Sequence, residues 1–175
     1  MDFDAVAATE SPGGDDTPGS VDAVLYIQVM QERAMAQARA GDPQALSTLD
    51  ELAAMAVRSQ NPWFLAIAAE AKARALAILG DRESAIVVSA YAASEYRSAH
   101  DPQSAATVQR FAAQLLISQG RIKRAAKLLR TVERSARDDY KTRHAAAIEL
   151  ADCLDSLGQK RRAAAARARA GNAQR

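Results

Sequence analysis

The stretch of sequence that decides the fold is Ala73–Ala85, which reads ARALAILGDRESA. A small residue is followed by Leu76 and Leu79, then by Gly80, and Ala85 comes five positions after the glycine. The same pattern recurs in residues 151–163 (ADCLDSLGQKRRA) and, with Gln119 in place of the second leucine, in residues 113–125 (AQLLISQGRIKRA). It recurs in degenerate form in residues 34–46 (AMAQARAGDPQAL). A degenerate first unit is typical of a repeat array, because the terminal unit caps it.

The glycines of these four stretches are Gly41, Gly80, Gly120 and Gly158, and successive glycines are 39, 40 and 38 residues apart. A nearly constant period of this length indicates a repeat protein. Small alanines allow two helices to cross closely, the leucine fills the adjoining space, and the glycine ends the first helix in a left-handed conformation. Each unit is therefore predicted to be a helical hairpin, which buries its apolar face only by stacking on its neighbours.

The composition favours the same fold class. The chain has 175 residues and contains 42 alanines, against 3 Phe, 4 Tyr and 1 Trp. Alanine is the best helix former, whereas aromatic residues, typical of strands, are scarce, which argues against a β-sandwich or barrel. A single cysteine excludes a disulfide framework and a multi-cysteine metal site. The N-terminus lacks the pattern of a signal peptide, and no apolar run approaches the roughly 20 residues that span a bilayer, so we expect a cytoplasmic location without membrane contact.

The chain divides at about residue 20. Residues 1–20 are rich in acids, Pro and Gly, and are predicted to be a disordered acidic arm. Residues 21–175 are predicted to be the helical repeat domain, with units at about 22–60, 61–100, 101–139 and 140–171. Asp42-Pro43, Asn61-Pro62 and Asp101-Pro102 each place a capping side chain before a proline suited to the first helical position. The expected helices are 22–40, 43–59, 62–79, 82–98, 102–119, 121–137, 141–157 and 159–170.

The repeated pattern of a small residue, a large apolar residue, Gly and then Ala resembles the tetratricopeptide repeat (TPR) family, over about residues 22–170. The units are longer than the family's usual length of about 34 residues. Ala or Leu occupies most of its aromatic positions, and no Pro closes each unit. These longer repeats look like those of bacterial regulatory proteins. The resemblance implies an all-α, right-handed α-solenoid of about four antiparallel helix pairs. It also implies a concave groove, lined by the first helix of each pair, that holds an extended peptide or a partner's helix.

The resemblance also implies which residues line this groove. Carried onto the first helices, the positions are Gln28, Gln31, Met35, Arg39, Ile67, Glu70, Arg74, Ile78, Thr107, Arg110, Gln114, Ile117, Ile148, Asp152 and Asp155. Met35, Ile67 and Ile117 would supply apolar contact. The leading hypothesis is therefore an adaptor or regulatory module that binds a peptide or helix of a partner protein.

Two arginines and one glutamine are the expected polar anchors of that groove. Arg74, Arg110 and Gln114 are suited to a carboxylate or a peptide backbone, because Arg offers a planar fork of donors. The alternative for Arg74 is a simple surface pair with Glu70, four residues earlier on the same helix. No acidic residue lies near Arg110 and Gln114 in the sequence, which favours a binding role for them.

Charge is distributed unevenly along the chain. Residues 1–100 carry 7 Lys/Arg and 14 Asp/Glu, a balance of −7, whereas residues 101–175 carry 16 and 7, a balance of +9. In the sixth helix the cations recur every three or four residues on one face: Lys123, Lys127, Arg130, Arg134 and Arg137. This basic patch is either a solvated face or a site for phosphates, an acidic partner or the chain's own arm.

Two further classes of function stay open at this stage. The basic C-terminal helices allow a transcription-regulatory or nucleic-acid-associated module, although the stacking aromatics or reading helix usual for nucleic acid are not evident. Self-assembly is the other, with the acidic half of one chain meeting the basic half of the next. An enzyme is not expected, because the sequence contains no Gly-rich phosphate loop, His-Glu metal motif or nucleophile elbow. We accordingly predict no catalytic residue, metal or cofactor.

Overall fold

The computed structural model describes residues 21–172, with side chains from 24 to 171. This part of the chain forms eight α-helices and no strand: α1 (Val21–Arg39), α2 (Gln44–Ser59), α3 (Pro62–Ile78), α4 (Arg82–Ser98), α5 (Pro102–Ser118), α6 (Ile122–Ser135), α7 (Tyr140–Ser156) and α8 (Lys160–Asn172). The predicted all-α solenoid is confirmed, and each helix boundary lies within two residues of its predicted position. The predicted acidic arm, residues 1–20, lies outside the described residues. The division into four units and the right-handed superhelix stay predictions.

Each first helix of a pair ends at a glycine in the left-handed region. Gly41, Gly80, Gly120 and Gly158 have φ values of 72°, 94°, 71° and 73°. At Gly80, the glycine N–H donates to the carbonyl of Ala77 at 3.3 Å, and the next N–H donates to the carbonyl of Leu76 at 2.9 Å. These bonds satisfy carbonyls that the helix end leaves without partners, in a conformation that a β-carbon would strain. The prediction of a left-handed glycine after each first helix is confirmed.

The predicted helix starts are confirmed at α3 and α5 and shifted at α2. The side chains of Asn61 and Asp101 each accept a hydrogen bond at 2.9 Å from a backbone N–H of the first turn, and a proline follows each as the first helical residue. The helix α2 instead begins at Gln44, so the prediction that Pro43 is its first helical residue is wrong by one position. Asp42 still accepts from the backbone N–H of Gln44 at 2.9 Å, which places the cap one residue further from the helix.

The repeated alanines lie at the contacts between helices. The six alanines of the three regular units are each 0 % exposed: Ala73, Ala85, Ala113, Ala125, Ala151 and Ala163. The leucines of the same register, Leu76, Leu116 and Leu154, are also buried. Methyl-sized side chains let helix axes approach closely, and each leucine then fills the space beside them. The alanines of the repeat register are thus buried in the helix packing.

The hairpins stack so that first and second helices form two separate faces. Each helix packs against its neighbours in the chain, and in addition α1 packs against α3 and α5 against α7. The second helices α4, α6 and α8 do not pack closely on one another, which leaves grooves between them, and α3 does not pack closely on α5 either. We call the exposed surface of α1, α3, α5 and α7 the first-helix face, and that of α4, α6 and α8 the second-helix face.

None of the helices formed by the described residues has the length and hydropathy that crossing a lipid bilayer requires.

Candidate functional site

The first-helix face carries two carboxylates that bind side chains from neighbouring helices, and the first is Glu70 on α3. Its Oε1 accepts hydrogen bonds from Nε and Nη2 of Arg74 at 2.9 and 2.7 Å, and its Oε2 accepts one from the hydroxyl of Tyr96 at 2.7 Å. The Arg74 guanidinium also lies 4.9 Å from the ring centroid of Phe111 on α5. Glu70 therefore joins α3 to α4, and through Arg74 the contact extends to the next hairpin.

Tyr96 of α4 is the buried member of this cluster. It is 4 % exposed, and burial together with the neighbouring carboxylate of Glu70 raises the pKa of Tyr96 far above its usual range. The phenol therefore stays protonated at neutral pH and keeps donating its hydrogen bond. Both oxygens of Glu70 are satisfied by this arrangement, so the cluster is closed within the protein.

The second carboxylate is Glu149 on α7, and it is only half satisfied. Its Oε1 accepts from Nε and Nη2 of Arg110 at 3.1 and 2.8 Å, and from Nε2 of Gln114 at 2.7 Å. Its Oε2 is shielded from solvent and has no hydrogen-bond partner among the described residues. A buried acceptor without a donor is costly, so this oxygen would gain a hydrogen bond if a shift of the side chain exposed it to an N–H or O–H group.

A cavity of about 300 Å³ lies beside Glu149, between α5 and α7. It is lined by Gln114, Ile117, Ile122, Glu149, Asp152, Cys153 and Ser156. The Cys153 thiol is buried, and burial, followed by the charges of Asp152 and Glu149, raises its pKa. A thiol with a raised pKa is a poor nucleophile, so Cys153 serves as apolar lining. The cavity thus combines an apolar floor with an amide and two carboxylates at its rim.

The remaining predicted groove residues lie along the same face, at different depths. Gln31, Met35, Ile67 and Ile117 are half-buried, while Arg39, Gln114 and Asp152 are exposed. Gln31 donates from Nε2 to the carbonyl of Ile67 at 3.4 Å, which is a weak link between α1 and α3. Arg167 of α8 binds Asp152 and Asp155 at 3.0 and 2.6 Å, so the last helix holds the two acids at the end of the face.

The structure separates the predicted anchors into two clusters. Arg74 forms the local ion pair with Glu70 that the sequence predicts as the alternative to a binding role. Arg110 and Gln114, which have no acid near them in sequence, meet Glu149 from the next hairpin. Whether any of them contacts a partner stays a prediction. Sequence reasoning missed Glu149, although the residue lies 39 positions after Arg110, close to the repeat period.

The predicted basic patch is divided between two grooves of the second-helix face. Lys127 lines a groove between α4 and α6, whereas Arg130 and Arg134 line another between α6 and α8. Lys123 is exposed at the start of α6. Arg137 lies beyond the end of α6, and its carbonyl accepts from Nη1 of Arg143 at 2.6 Å.

Among residues 24–171, no group of three or more His, Cys, Asp or Glu side chains is arranged to hold a metal ion. His144 lies on α7 with its Nδ1 3.2 Å from the carbonyl oxygen of Ala170, and its ring stacks obliquely on Tyr140 with centroids 5.6 Å apart. These contacts join α7 to α8. His100 lies at the turn after α4, where it takes a left-handed conformation with φ of 59°.

An array of eight helices stacked as repeated hairpins is consistent with TPR-like repeats. Two solved structures resemble it, described as the nearly identical TPR-like repeats of a kinesin light chain candidate from Podosopora anserina, one of them a form with a single substitution. Both are 16 % identical to this chain and cover 85 % of it, with TM-scores of 0.35 and 0.36 over 95 % and 94 % of their own chains. No protein-family model matches the sequence, and no curated protein matches it either.

Proposed function

We propose that this chain is an adaptor or regulatory module whose first-helix face binds a peptide or helix of a partner protein. TPR-like repeat folds are generally protein–protein interaction modules and non-enzymatic scaffolds, and stacked repeats create extended binding surfaces. The proposal accordingly includes no catalytic step, metal or cofactor. The cytoplasmic location expected from the sequence, and the bacterial origin that the resemblance to bacterial regulatory repeats implies, are part of it.

The observation that carries the proposal is the unsatisfied Oε2 of Glu149 beside the cavity between α5 and α7. A shift of the Glu149 side chain toward the cavity would expose Oε2, and an N–H donor from a bound peptide would then satisfy it. Gln114 is exposed, and its Nε2 donates one hydrogen bond to Oε1 of Glu149 at 2.7 Å. Its second amide hydrogen and its oxygen are therefore available to a peptide backbone. The site therefore offers both a donor and acceptors within one small region.

Apolar side chains continue this surface from hairpin to hairpin. Ile78 is 44 % exposed and Ile148 is 36 % exposed, and Ile67 and Ile117 are half-buried between them. One exposed isoleucine needs no explanation, but a row along one face of an array is suited to the apolar side chains of a peptide. The row supplies apolar contact area, and the hydrogen-bonding groups beside the cavity at Glu149 would fix the orientation of the bound peptide.

The ion pairs change the roles expected of the two arginines. Arg74 and Arg110 each use Nε and Nη2 on a carboxylate of this chain, so one bidentate edge of each guanidinium and its charge are already engaged. We assign Arg110 the role of holding Glu149 in place, and we assign contact with the partner to Gln114, Glu149 and Ile117. Arg74 keeps the equivalent holding role at Glu70.

A random-peptide library displayed on phage and selected on the full chain tests this assignment without knowledge of the partner. We expect selected peptides to lose roughly fivefold to tenfold in affinity with Gln114→Ala, because one or two hydrogen bonds are lost. Ile117→Ala should lower the affinity of the selected peptides by a larger factor, because it removes apolar contact. Fluorescence anisotropy with synthetic copies of the peptides gives the dissociation constants.

Gln44→Ala is the matched control, since Gln44 is an exposed glutamine on α2, outside the first-helix face. It should leave peptide affinity unchanged. Peptides that bind Gln114→Ala and Ile117→Ala as tightly as the original chain would place binding elsewhere and overturn the assignment.

The two other classes of function stay as alternatives. Arg130, Arg134 and Arg143 have no carboxylate partner among residues 24–171, which favours an anionic partner, nucleic acid included. The experiment on the second-helix face contains a direct test of that alternative. Self-assembly through acidic and basic halves predicts a mass that rises with concentration, as measured by sedimentation. A monomer mass at every concentration would remove it.

A further inference from the structure

The second-helix face contains two grooves, one on each side of α6. The first lies between α4 and α6 over α5 and encloses about 450 Å³. The second lies between α6 and α8 over α7 and encloses about 750 Å³. They exist because the second helices do not pack closely on one another, and α6 forms the ridge between them.

The groove between α6 and α8 is rich in arginine. Arg130, Arg134, Arg143 and Arg169 line it. Arg169 is neutralised by Glu133, with Nε–Oε1 and Nη2–Oε2 distances of 2.6 and 3.0 Å. The other three have no carboxylate within ion-pair distance among residues 24–171. Three guanidinium groups around one open groove create a positive potential that attracts anions.

The groove between α4 and α6 adds both cations and apolar surface. Its cations are Arg97, Arg124 and Lys127, and none of them has an ion-pair partner among the described residues. Its apolar lining includes Ile86, Leu116 and Leu128, of which Leu116 is buried and the other two are half-buried. Cations around an apolar floor are suited to a ligand that carries acids and apolar side chains together.

We propose that these two grooves form a second binding site, which takes an acidic amphipathic segment of a partner protein. Carboxylates of the segment bind the unpaired guanidinium and ammonium groups, for which planar bidentate pairing is the favoured geometry. Apolar side chains of the segment enter the groove between α4 and α6. This site lies on different helices from the groove proposed above, so one copy of the chain would join two segments.

Two observations favour a protein segment over nucleic acid. Among residues 24–171, no Phe, Tyr or Trp side chain lines either groove, and the His144 ring of the larger groove already lies against Tyr140, whereas single-stranded nucleic acid is held largely by stacking on aromatic rings. The apolar floor formed by Ile86 and Leu128 also makes no favourable contact with a charged sugar-phosphate backbone. Phosphate binding alone would need only the cations.

The test uses four fluorescently labelled probes on the full chain. The first is a synthetic helix-forming peptide of Glu and Leu with an acidic face and an apolar face. The second replaces each Leu by Ser, the third replaces each Glu by Lys, and the fourth is a single-stranded oligonucleotide of equal charge. We expect the first to bind tightest, the second more weakly, and the third not at all.

Two double variants locate the site. Arg130→Gln with Arg134→Gln alters the groove between α6 and α8, and Arg97→Gln with Lys127→Gln alters the other. Each double variant should lower the affinity for the Glu-Leu peptide at least roughly tenfold, because charge-assisted hydrogen bonds are lost. Arg33→Gln with Arg58→Gln makes the same change of charge at exposed positions on α1 and α2 and should have no effect.

Several results would overturn the proposal. These are failure of the Glu-Leu peptide to bind, unchanged affinity in both double variants, or an oligonucleotide that binds as tightly as the peptide. The last result would instead identify a nucleic-acid site. Gln114→Ala should leave this peptide's affinity unchanged, so failure of the first-helix proposal and failure of this one are distinguishable. Circular dichroism checks that each variant is folded, and the two double variants test the site independently.

Discussion

Two arginines of the first-helix face and three of the second-helix face are used in opposite ways. On the first-helix face, Arg74 and Arg110 each donate two hydrogen bonds to a glutamate of their own chain. On the second-helix face, Arg130, Arg134 and Arg143 have no carboxylate partner among residues 24–171.

The comparison teaches that a carboxylate within reach decides what an arginine does. Arg110 binds Glu149 of the next hairpin and Arg74 binds Glu70 of its own helix, while Arg169 on the second-helix face is paired with Glu133 in the same way. A guanidinium of the second-helix face that has no such carboxylate projects over a groove, and its charge is available to a ligand. The same residue type therefore stabilises the array in one place and prepares it for binding in another.

The largest expected effect comes from a change that disrupts both faces together. Ala113 is 0 % exposed within the core formed by α5, α6, α7 and α8, and Ala113→Leu should lower the free energy of unfolding by about 1–3 kcal/mol through overpacking. Ala54→Leu, at an exposed position of α2, is the control and should change it by less than about 0.5 kcal/mol. Urea unfolding followed by circular dichroism measures both. Equal effects would mean that the buried alanines are not close-contact points.

The next effect separates the two faces directly. Glu149→Ala leaves the half-buried Arg110 without its carboxylate and should cost about 1–2 kcal/mol in the free energy of unfolding. Arg130→Ala removes a cation without a carboxylate partner and should cost less than about 0.5 kcal/mol. Urea titrations of both variants measure these two changes in the free energy of unfolding. A larger loss from Arg130→Ala than from Glu149→Ala would contradict the contrast between paired and unpaired arginines.

The smallest expected effect tests the closed cluster at Glu70 and depends on pH. Tyr96→Phe removes one donor and should cost about 1 kcal/mol at about pH 8. Because the pKa of Tyr96 is raised in the folded chain, only the unfolded chain ionises this phenol just above its ordinary pKa of about 10. Stability from Tyr96 is thus complete below that pH and declines above it.

The difference between the original chain and Tyr96→Phe should therefore shrink by about 1 kcal/mol when unfolding is repeated at about pH 11. The comparison of the two chains cancels the titration of lysines, which both share. A difference that stays constant between the two pH values would mean that Tyr96 ionises equally in the folded and unfolded chains.

Much of the fold could be predicted from the sequence because its signals are local. The glycine spacing located the ends of the first helices, since a left-handed terminus needs Gly, and the capping residues Asn61 and Asp101 located two starts. The start of α2 was predicted one residue early, because the same Asp-Pro signal allows the proline to lie inside or just outside the helix. The alanine register predicted the buried contacts because close helix crossings require small side chains.

The candidate sites were less predictable because they are made of pairs distant in sequence. The sequence placed Arg110 and Gln114 on one helix face, but it gave no sign that Glu149 meets them from the next hairpin. It placed Lys127, Arg130 and Arg134 on one helix as well, yet the packing of α4 and α8 decides which groove each lines.

The sequence by itself determined the helices, their ends and the alanine contacts between hairpins, since backbone propensity, capping and the repeat period act over a few residues or one unit. Only the tertiary structure decided which charges are paired and which are available. That choice depends on distances between hairpins, and a shift of a few ångströms between stacked helices separates an ion pair from an open binding group.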